Sequence, residues 1–157
     1  MILEVYKLPE LRKKLSDKKI IFSDGTFDLI HTGHVNVFKH LRTLGDILFI
    51  AVLSDEWVKF KKGDTRPILS ENERIEMVDA IRYVDYTVLA KDLKTGERIR
   101  ITKILQELKP DFFVSMDNSW EDKRELIQSY GTQLKIINRI GHGSTTKILD
   151  NIRAIFK

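Results

Sequence analysis

The 157-residue chain has no cysteine, only three prolines, and no apolar run as long as a membrane span. Without cysteine it can form neither a disulfide framework nor a zinc site with thiolate ligands. Its first seven residues lack the basic and then apolar pattern of a secretory signal, so we expect a cytoplasmic protein without a membrane span. The formal net charge is only +4. It favours anionic ligands but is too small to indicate nucleic-acid binding by itself.

The chain contains no internal repeat, no low-complexity tract and no linker rich in proline and glycine. With 42% hydrophobic and 32% charged residues, a chain of this length can bury one core and present a polar surface. We therefore expect a single domain over residues 1–157, in which residues 1–18 form a helical extension.

Five short apolar runs, which we predict to be strands, alternate with patterns of helical period: 20–23, 47–53, 86–90, 112–114 and 134–138. The run at 47–53 is apolar throughout, which is typical of a strand buried on both faces. The alternation predicts an α/β, Rossmann-like fold with a five-stranded parallel sheet and helices on both faces. With the strand order 3-2-1-4-5, a ligand would lie beyond the carboxyl ends of the first and fourth strands.

Two charged segments between these elements are predicted to be loops, the basic segment 54–67 and the segment 91–100. The first could be an ordinary solvated loop, or one of its lysines, such as Lys62, could reach over a bound phosphate. After this segment, Ser70 and Glu73 match a capping box and predict the start of a helix. The basic side chains of the first segment are Lys59, Lys61, Lys62 and Arg66.

The segment Gly25–His34 reads GTFDLIHTGH and joins the first predicted strand to a helix. Such a junction directs free N–H groups and a helix dipole at one point, which suits an anion. His31 and His34, three residues apart, can face the same side of the first helical turn. Zinc would need a third ligand, for which only His40, His142 and carboxylates remain, and ordinary structural histidines are the other alternative. We favour contact with a phosphate.

A second strand-to-helix junction carries three successive hydroxyl residues, Ser144, Thr145 and Thr146. One hydroxyl residue would suffice as the N-cap of a helix. The other two could therefore donate hydrogen bonds to phosphate oxygens. Arg139 precedes this junction and could bind a phosphate with two parallel hydrogen bonds.

Other polar residues have a structural and a functional interpretation. Arg74 follows Glu73 and could form an exposed ion pair or contact a ligand. Asp117 and Trp120 could form an Asx turn with a packed tryptophan, or a pocket for a base or an acceptor. Asp28 is expected to orient the turn or a histidine rather than to accept a proton.

Two motifs resemble those of the cytidylyltransferase-like nucleotidyltransferases. GTFDLIHTGH resembles their H-x-G-H signature, and residues 143–148, Gly-Ser-Thr-Thr-Lys-Ile, resemble their Ser-Thr-Thr-Lys-Ile ending, with Arg139 in the matching place. The resemblance covers residues 19–156 and implies a homodimer that joins a nucleoside triphosphate to a phosphorylated alcohol or sugar. It implies catalytic roles for His31, His34, Lys62 and Arg139, with Mg²⁺ travelling with the triphosphate and no metal site on the protein. The implied nucleotide-binding residues are Gly25, Thr26, Phe27, Asp28, Gly33, Arg74, Asp117, Trp120, Ser144, Thr145 and Thr146.

Two branches of this family compete. Residues 82–85 and 120–121 are similar to the glycerol-3-phosphate cytidylyltransferases, and on this similarity we expect transfer of CMP from CTP, with ATP as the alternative. Residues 54–55, 62–67 and 108–111 are more similar to the heptose-phosphate enzymes, which use ATP. Met116 and Ser119 depart from the family pattern near the expected base and acceptor pocket. A nucleotide- or RNA-binding module is the alternative of another class, since class I aminoacyl-tRNA synthetases also bind ATP through H-x-G-H.

Overall fold

A six-stranded parallel sheet forms the centre of the computed structural model, which describes residues 1–91, 99–138 and 143–156, without the side chain of Ile99. The strands are β1 (Ile2–Leu3), β2 (Ile20–Gly25), β3 (Ile47–Leu53), β4 (Tyr86–Ala90), β5 (Phe112–Ser115) and β6 (Gln133–Ile136). They lie in the order β1-β4-β3-β2-β5-β6, and every neighbouring pair is parallel.

The five predicted strands are β2 to β6, and their mutual order is the predicted 3-2-1-4-5. The sheet has six strands rather than five because Ile2–Leu3 pairs with β4, with Ile2 opposite Thr87. A two-residue strand is too short to produce an alternation in the sequence. The predicted helical extension therefore contains this strand and a 3-10 turn at Val5–Lys7 before its helix begins.

Helices cover both faces of the sheet and bury two separate apolar clusters. The helices are α1 (Leu8–Lys14), α2 (Thr32–Arg42), α3 (Asp55–Lys62), α4 (Glu71–Asp79), α5 (Ile99–Leu108), α6 (Arg124–Ser129) and α7 (Thr145–Ile155). One cluster contains Leu8, Ile104 and Ile127, from α1, α5 and α6, and the other contains Phe38 and Val78, from α2 and α4. Within the described ranges, no helix has the length and apolar character needed to cross a membrane.

The prediction of a basic loop at 54–67 is wrong for the first half of this segment, where Asp55–Lys62 form α3. Ser54 caps this helix, because its hydroxyl accepts a hydrogen bond from Trp57 N at 3.3 Å. Trp57 and Val58 are buried, so the helix gains an apolar face that the surrounding lysines obscure in the sequence. It ends at Gly63, whose φ of 86° suits glycine.

The predicted charged loop at 91–100 lies largely outside the described residues, which omit 92–98. Its last two residues belong to α5.

The predicted capping box at the start of α4 is confirmed. The Ser70 hydroxyl accepts a hydrogen bond from Glu73 N at 3.4 Å, and the Glu73 carboxylate accepts from Ser70 N at 2.9 Å. The Ser70 hydroxyl also donates to Glu73 at 2.7 Å, and this bond, with the backbone one, lowers the pKa of Glu73. α4 therefore starts at a fixed residue, which matters because the next turn of this helix carries Arg74.

Replacing the capping serine tests this start. We expect Ser70→Ala to lower the free energy of unfolding by about 1 kcal/mol, since the first turn loses its side-chain acceptor. Urea denaturation followed by circular dichroism measures the change. Ser70→Thr is the matched control and should remain close to the wild type because it retains the hydroxyl. Equal losses in both variants would show that the cap is not what stabilises this end.

Candidate functional site

A cavity of about 910 Å³ opens at the carboxyl ends of β2 and β5. Gly25 and Thr26 line it at the end of β2, and Ser115, Met116 and Asp117 line it at the end of β5. These two strands are neighbours in the sheet, but the chain continues from β2 to β3 on one side of the pair and from β5 to β6 on the other side. The cavity therefore lies at the switch point of the strand order. This is where the sequence predicts a ligand.

The two histidines lie side by side at the start of α2. His31 is the residue before the helix, with extended backbone, and its carbonyl accepts hydrogen bonds from His34 N at 2.9 Å and Val35 N at 3.2 Å. The imidazole rings stack with their centroids 3.9 Å apart and their planes 20° apart. Both rings line the cavity, so they face the same side, as their spacing predicts.

Two glycines let the start of α7 approach the histidines. A Cβ on Gly33 would lie 3.1 Å from the carbonyl oxygen of Gly143, and a Cβ on Gly143 would lie 2.8 Å from Gly33 N and 2.5 Å from His31 Nδ1. Any larger residue would separate the two backbones. The hydroxyl of Thr145 also donates to the carbonyl oxygen of Asp28 at 2.8 Å.

The predicted hydroxyl residues Ser144, Thr145 and Thr146 therefore line the same cavity as the histidines. The backbone N–H groups of the first turn of α7 accompany them, as expected for an anion site. Arg139 and His142 lie outside the described residues.

Asp28 sits in a turn of unusual backbone conformation. Its neighbours Phe27 and Leu29 have φ values of 53° and 52°, in the left-handed region that non-glycine residues rarely adopt. The buried Asp28 carboxylate accepts hydrogen bonds from Ile68 N and Leu69 N at 3.0–3.1 Å. It also pairs with Arg66 at 2.7 Å. Asp28 thus orients the turn, and its carboxylate is directed at protein groups rather than at the cavity.

The prediction that Arg74 contacts a phosphate or an acceptor is wrong for this structure. Its guanidinium is completely buried and donates to the carbonyl oxygens of Leu69 at 3.1 Å and Leu53 at 2.7 Å, and to that of Thr26. It also pairs with the Asp55 carboxylate at 2.8 Å. The alternative of an exposed ion pair with Glu73 is equally wrong. One sequence signal could have revealed this burial: Arg74 shares the apolar stripe of its helix with the buried Ile75 and Val78.

The basic wall of the cavity comes from α3 and the segment after it. Lys61, Lys62 and Arg66 line the cavity, and the Lys61 ammonium lies 5.1 Å from the centre of the Trp57 ring. Trp57 also lines the cavity. Sequence reasoning missed Trp57 as a site residue because its helix was predicted to be a loop. The signal was the Ser54 cap followed by the pair Trp57 and Val58.

Asp117 and Trp120 combine both of their predicted interpretations. The Asp117 carboxylate accepts a hydrogen bond from Ser119 N at 2.8 Å, which is an Asx turn at the start of the 3-10 turn Asn118–Lys123. Trp120 is 1% exposed and packs edge-on against Phe113, with ring centroids 5.0 Å apart. Both residues nevertheless lie in the cavity wall. Their part in selecting a base or an acceptor stays a prediction.

A parallel sheet with two phosphate-adapted turns at its switch point defines the class of nucleotide-binding α/β domains. The family described as cytidylyltransferase-like matches residues 22–152. The chain belongs to this family of nucleotidyltransferases.

Similar proteins agree with this assignment. The bifunctional protein HldE of Desulfatibacillum aliphaticivorans is 34% identical over 154 residues, which cover 93% of this chain and 30% of that protein. HldE of Alcanivorax borkumensis is 37% identical over 139 residues, covering 87% of this chain and 28% of that protein. The chain thus spans less than a third of the length of these curated relatives. The solved lipopolysaccharide core biosynthesis protein of Thermoplasma volcanium GSS1 is 25% identical with a TM-score of 0.62, covering 80% of this chain and 99% of that one.

The buried position of Arg74 leads to a prediction about stability. We expect Arg74→Met to lower the free energy of unfolding by about 3–5 kcal/mol, because it leaves three carbonyl groups and Asp55 without their cation. Urea denaturation without nucleotide measures this change. Arg82→Met is the control, since this exposed arginine lies against Tyr83, and should change stability by less than about 0.5 kcal/mol. If Arg74→Met changed the free energy of unfolding only slightly but lost affinity for nucleotide, Arg74 would be a ligand contact rather than a structural residue.

Proposed function

We propose that this chain transfers the nucleotidyl group of a nucleoside triphosphate to a phosphate monoester. An oxygen of the acceptor phosphate attacks the α-phosphorus in line, the bond from the α-phosphorus to the bridging oxygen breaks, and pyrophosphate leaves. The observation that carries this proposal is the assembly of the stacked histidines, Lys62 and the start of α7 around one cavity.

Each of these groups has a role that its chemistry explains. The attacked phosphate gains charge on its non-bridging oxygens, and the N–H groups of His31 and His34 and the ammonium of Lys62 stabilise that charge. Ser144, Thr145 and the N–H groups of α7 bind the phosphates that leave, with Thr26 and Arg139 as further contacts. A phosphate monoester is already a nucleophile at neutral pH, so no covalent enzyme intermediate is required. Catalysis then consists of positioning and charge stabilisation.

We favour ATP as the nucleotide and a sugar phosphate as the acceptor. Residues 62–67 resemble the corresponding stretch of the heptose-phosphate enzymes, and a helix precedes β2 as in that branch. The likeness to a lipopolysaccharide core biosynthesis protein supports a sugar acceptor, because sugars are activated for assembly as nucleotide esters. CTP with an alcohol phosphate is the second candidate, supported by residues 82–85 and 120–121.

Mg²⁺ would accompany the triphosphate. The described residues contain no group of three side chains suited to a metal ion, and the Asp28 carboxylate is occupied by protein donors. Phosphate oxygens and water would therefore supply most of its ligands, as is usual for Mg²⁺. A homodimer in the cytoplasm is part of the proposal through the family resemblance, and sedimentation measures the oligomeric state.

The role of the histidines is tested by substitution. We expect His34→Ala to lower the rate of pyrophosphate release about 10²- to 10³-fold, as for loss of one donor to a transition-state oxygen. The fold should persist, as checked by circular dichroism. His40→Ala is the matched control, because this histidine is exposed later on the same helix, and should retain the wild-type rate. A rate for His34→Ala within a few-fold of the wild type would contradict the assignment.

The nucleotide is tested by thermal shift with four nucleoside triphosphates and Mg²⁺. A ligand that binds only the folded state stabilises it by mass action, so we expect the largest shift with ATP. Pyrophosphate release with sugar phosphates should follow the same order. A larger shift and faster turnover with CTP would select the second candidate. RNA binding that weakens steeply with salt, without triphosphate-dependent release of pyrophosphate, would instead favour a binding module.

A further inference from the structure

Three cationic side chains line the described part of the cavity that also contains the histidines: Lys61, Lys62 and Arg66. The lysines end α3, whereas Arg66 lies in the segment between α3 and α4. Among the described residues, Arg66 is the only arginine of the lining, since the guanidinium of Arg74 is enclosed by protein groups. If a guanidinium from the described residues contacts a ligand in this cavity, it is therefore that of Arg66.

A buried anion holds one nitrogen of Arg66. Its Nη2 lies 2.7 Å from Asp28 Oδ2, and the two side chains are 15% and 1% exposed. The Asp28 carboxylate is itself fixed by the N–H groups of Ile68 and Leu69. This anchor restricts the rotamers of Arg66 before any ligand arrives, so less conformational entropy is lost when a ligand binds.

The anchor leaves other donors of Arg66 unused. A guanidinium carries five N–H donors in one plane. Asp28 occupies one edge of it, while part of the Arg66 side chain stays exposed in the cavity wall. Lys61 and Lys62 line the same cavity, so the acceptor that fits this wall is an oxyanion. The planar fork of a guanidinium matches phosphate oxygens in particular.

We propose that Arg66 is a phosphate-binding residue of this site. Asp28 holds one edge of the guanidinium, and the exposed N–H groups of Arg66 donate to a phosphate oxygen of a substrate in the cavity. Arg66 thus takes the role that the family resemblance implies for Arg74. The identity of the ligand rests on the proposed function: the phosphate belongs either to the leaving end of the nucleotide or to the acceptor.

Calorimetry with inorganic pyrophosphate tests this residue without any turnover. We expect Arg66→Met to weaken pyrophosphate binding about 10- to 100-fold, as for loss of hydrogen bonds to a charged group. Arg66→Lys retains the charge but not the fork and should fall between that variant and the wild type. Arg82→Met, an exposed arginine outside the cavity wall, is the control and should bind as the wild type does.

A second titration separates the two sources of phosphate. With α,β-methylene ATP bound, which resists cleavage at the α-phosphorus, glycerol 3-phosphate is added as a phosphate monoester. If Arg66→Met weakens the binding of glycerol 3-phosphate but not that of pyrophosphate, Arg66 binds the acceptor phosphate. Because Arg66→Met leaves Asp28 buried without its cation, the double variant Asp28→Asn with Arg66→Met removes both charges and replaces the single variant if that one fails to fold.

Wild-type affinity for both ligands in a folded Arg66→Met protein would overturn the proposal and leave Arg66 a purely structural role. Failure of the proposed function has a different signature. A wild-type protein that binds pyrophosphate through Arg66, yet transfers no nucleotidyl group to any phosphate monoester, would refute the function while the assignment of Arg66 stands.

Discussion

The buried guanidinium of Arg74 is the contact on which the geometry of this site depends. It joins the carbonyl oxygens at the ends of β2 and β3 to the start of α3, through Thr26, Leu53 and Asp55. A cation removed from water is stable only if its donors are matched, and here each partner belongs to a segment that reaches the cavity. The fold therefore uses a polar contact to fix the relative positions of the histidine turn and the basic wall.

Asp28 complements Arg74 with the opposite charge. Arg74 donates a hydrogen bond to the carbonyl oxygen of Leu69. The Asp28 carboxylate accepts hydrogen bonds from the N–H groups of Ile68 and Leu69 and pairs with the side chain of Arg66. The carbonyl group of Asp28 binds Thr145 at the start of α7. α7 has no buried residue, and this hydrogen bond and the close approach of Gly33 and Gly143 hold its first turn against the histidine turn. The histidine turn, the basic wall and the start of α7 are thus held in place by two buried charged residues, Arg74 and Asp28.

The sequence was sufficient wherever a regular pattern or a motif reports local structure. The apolar run at 47–53 predicted a central strand, and the spacing of His31 and His34 predicted their common side. It was insufficient where tertiary contacts override local polarity. Segment 54–67 is rich in lysine, yet burial of Trp57 makes its first half a helix. Arg74 belongs to a capped helix of polar appearance, yet the ends of β2 and β3, distant in sequence, supply the partners that allow its burial. No local pattern contains that information.

The two sides of the cavity differ in chemistry. Phe27 packs against His34, Phe38 packs against Phe27, and both belong to one apolar cluster. Trp57 and Trp120 belong to the cluster on the other face of the sheet. The family motifs, H-x-G-H and Ser-Thr-Thr, lie with the histidines. The two aromatic side chains follow β3 and β5 instead, and flank the end of β2. Substitutions at Trp57 or Trp120 would therefore alter one wall of the cavity without moving the histidine turn, because Arg74 and Asp28 fix that turn from within.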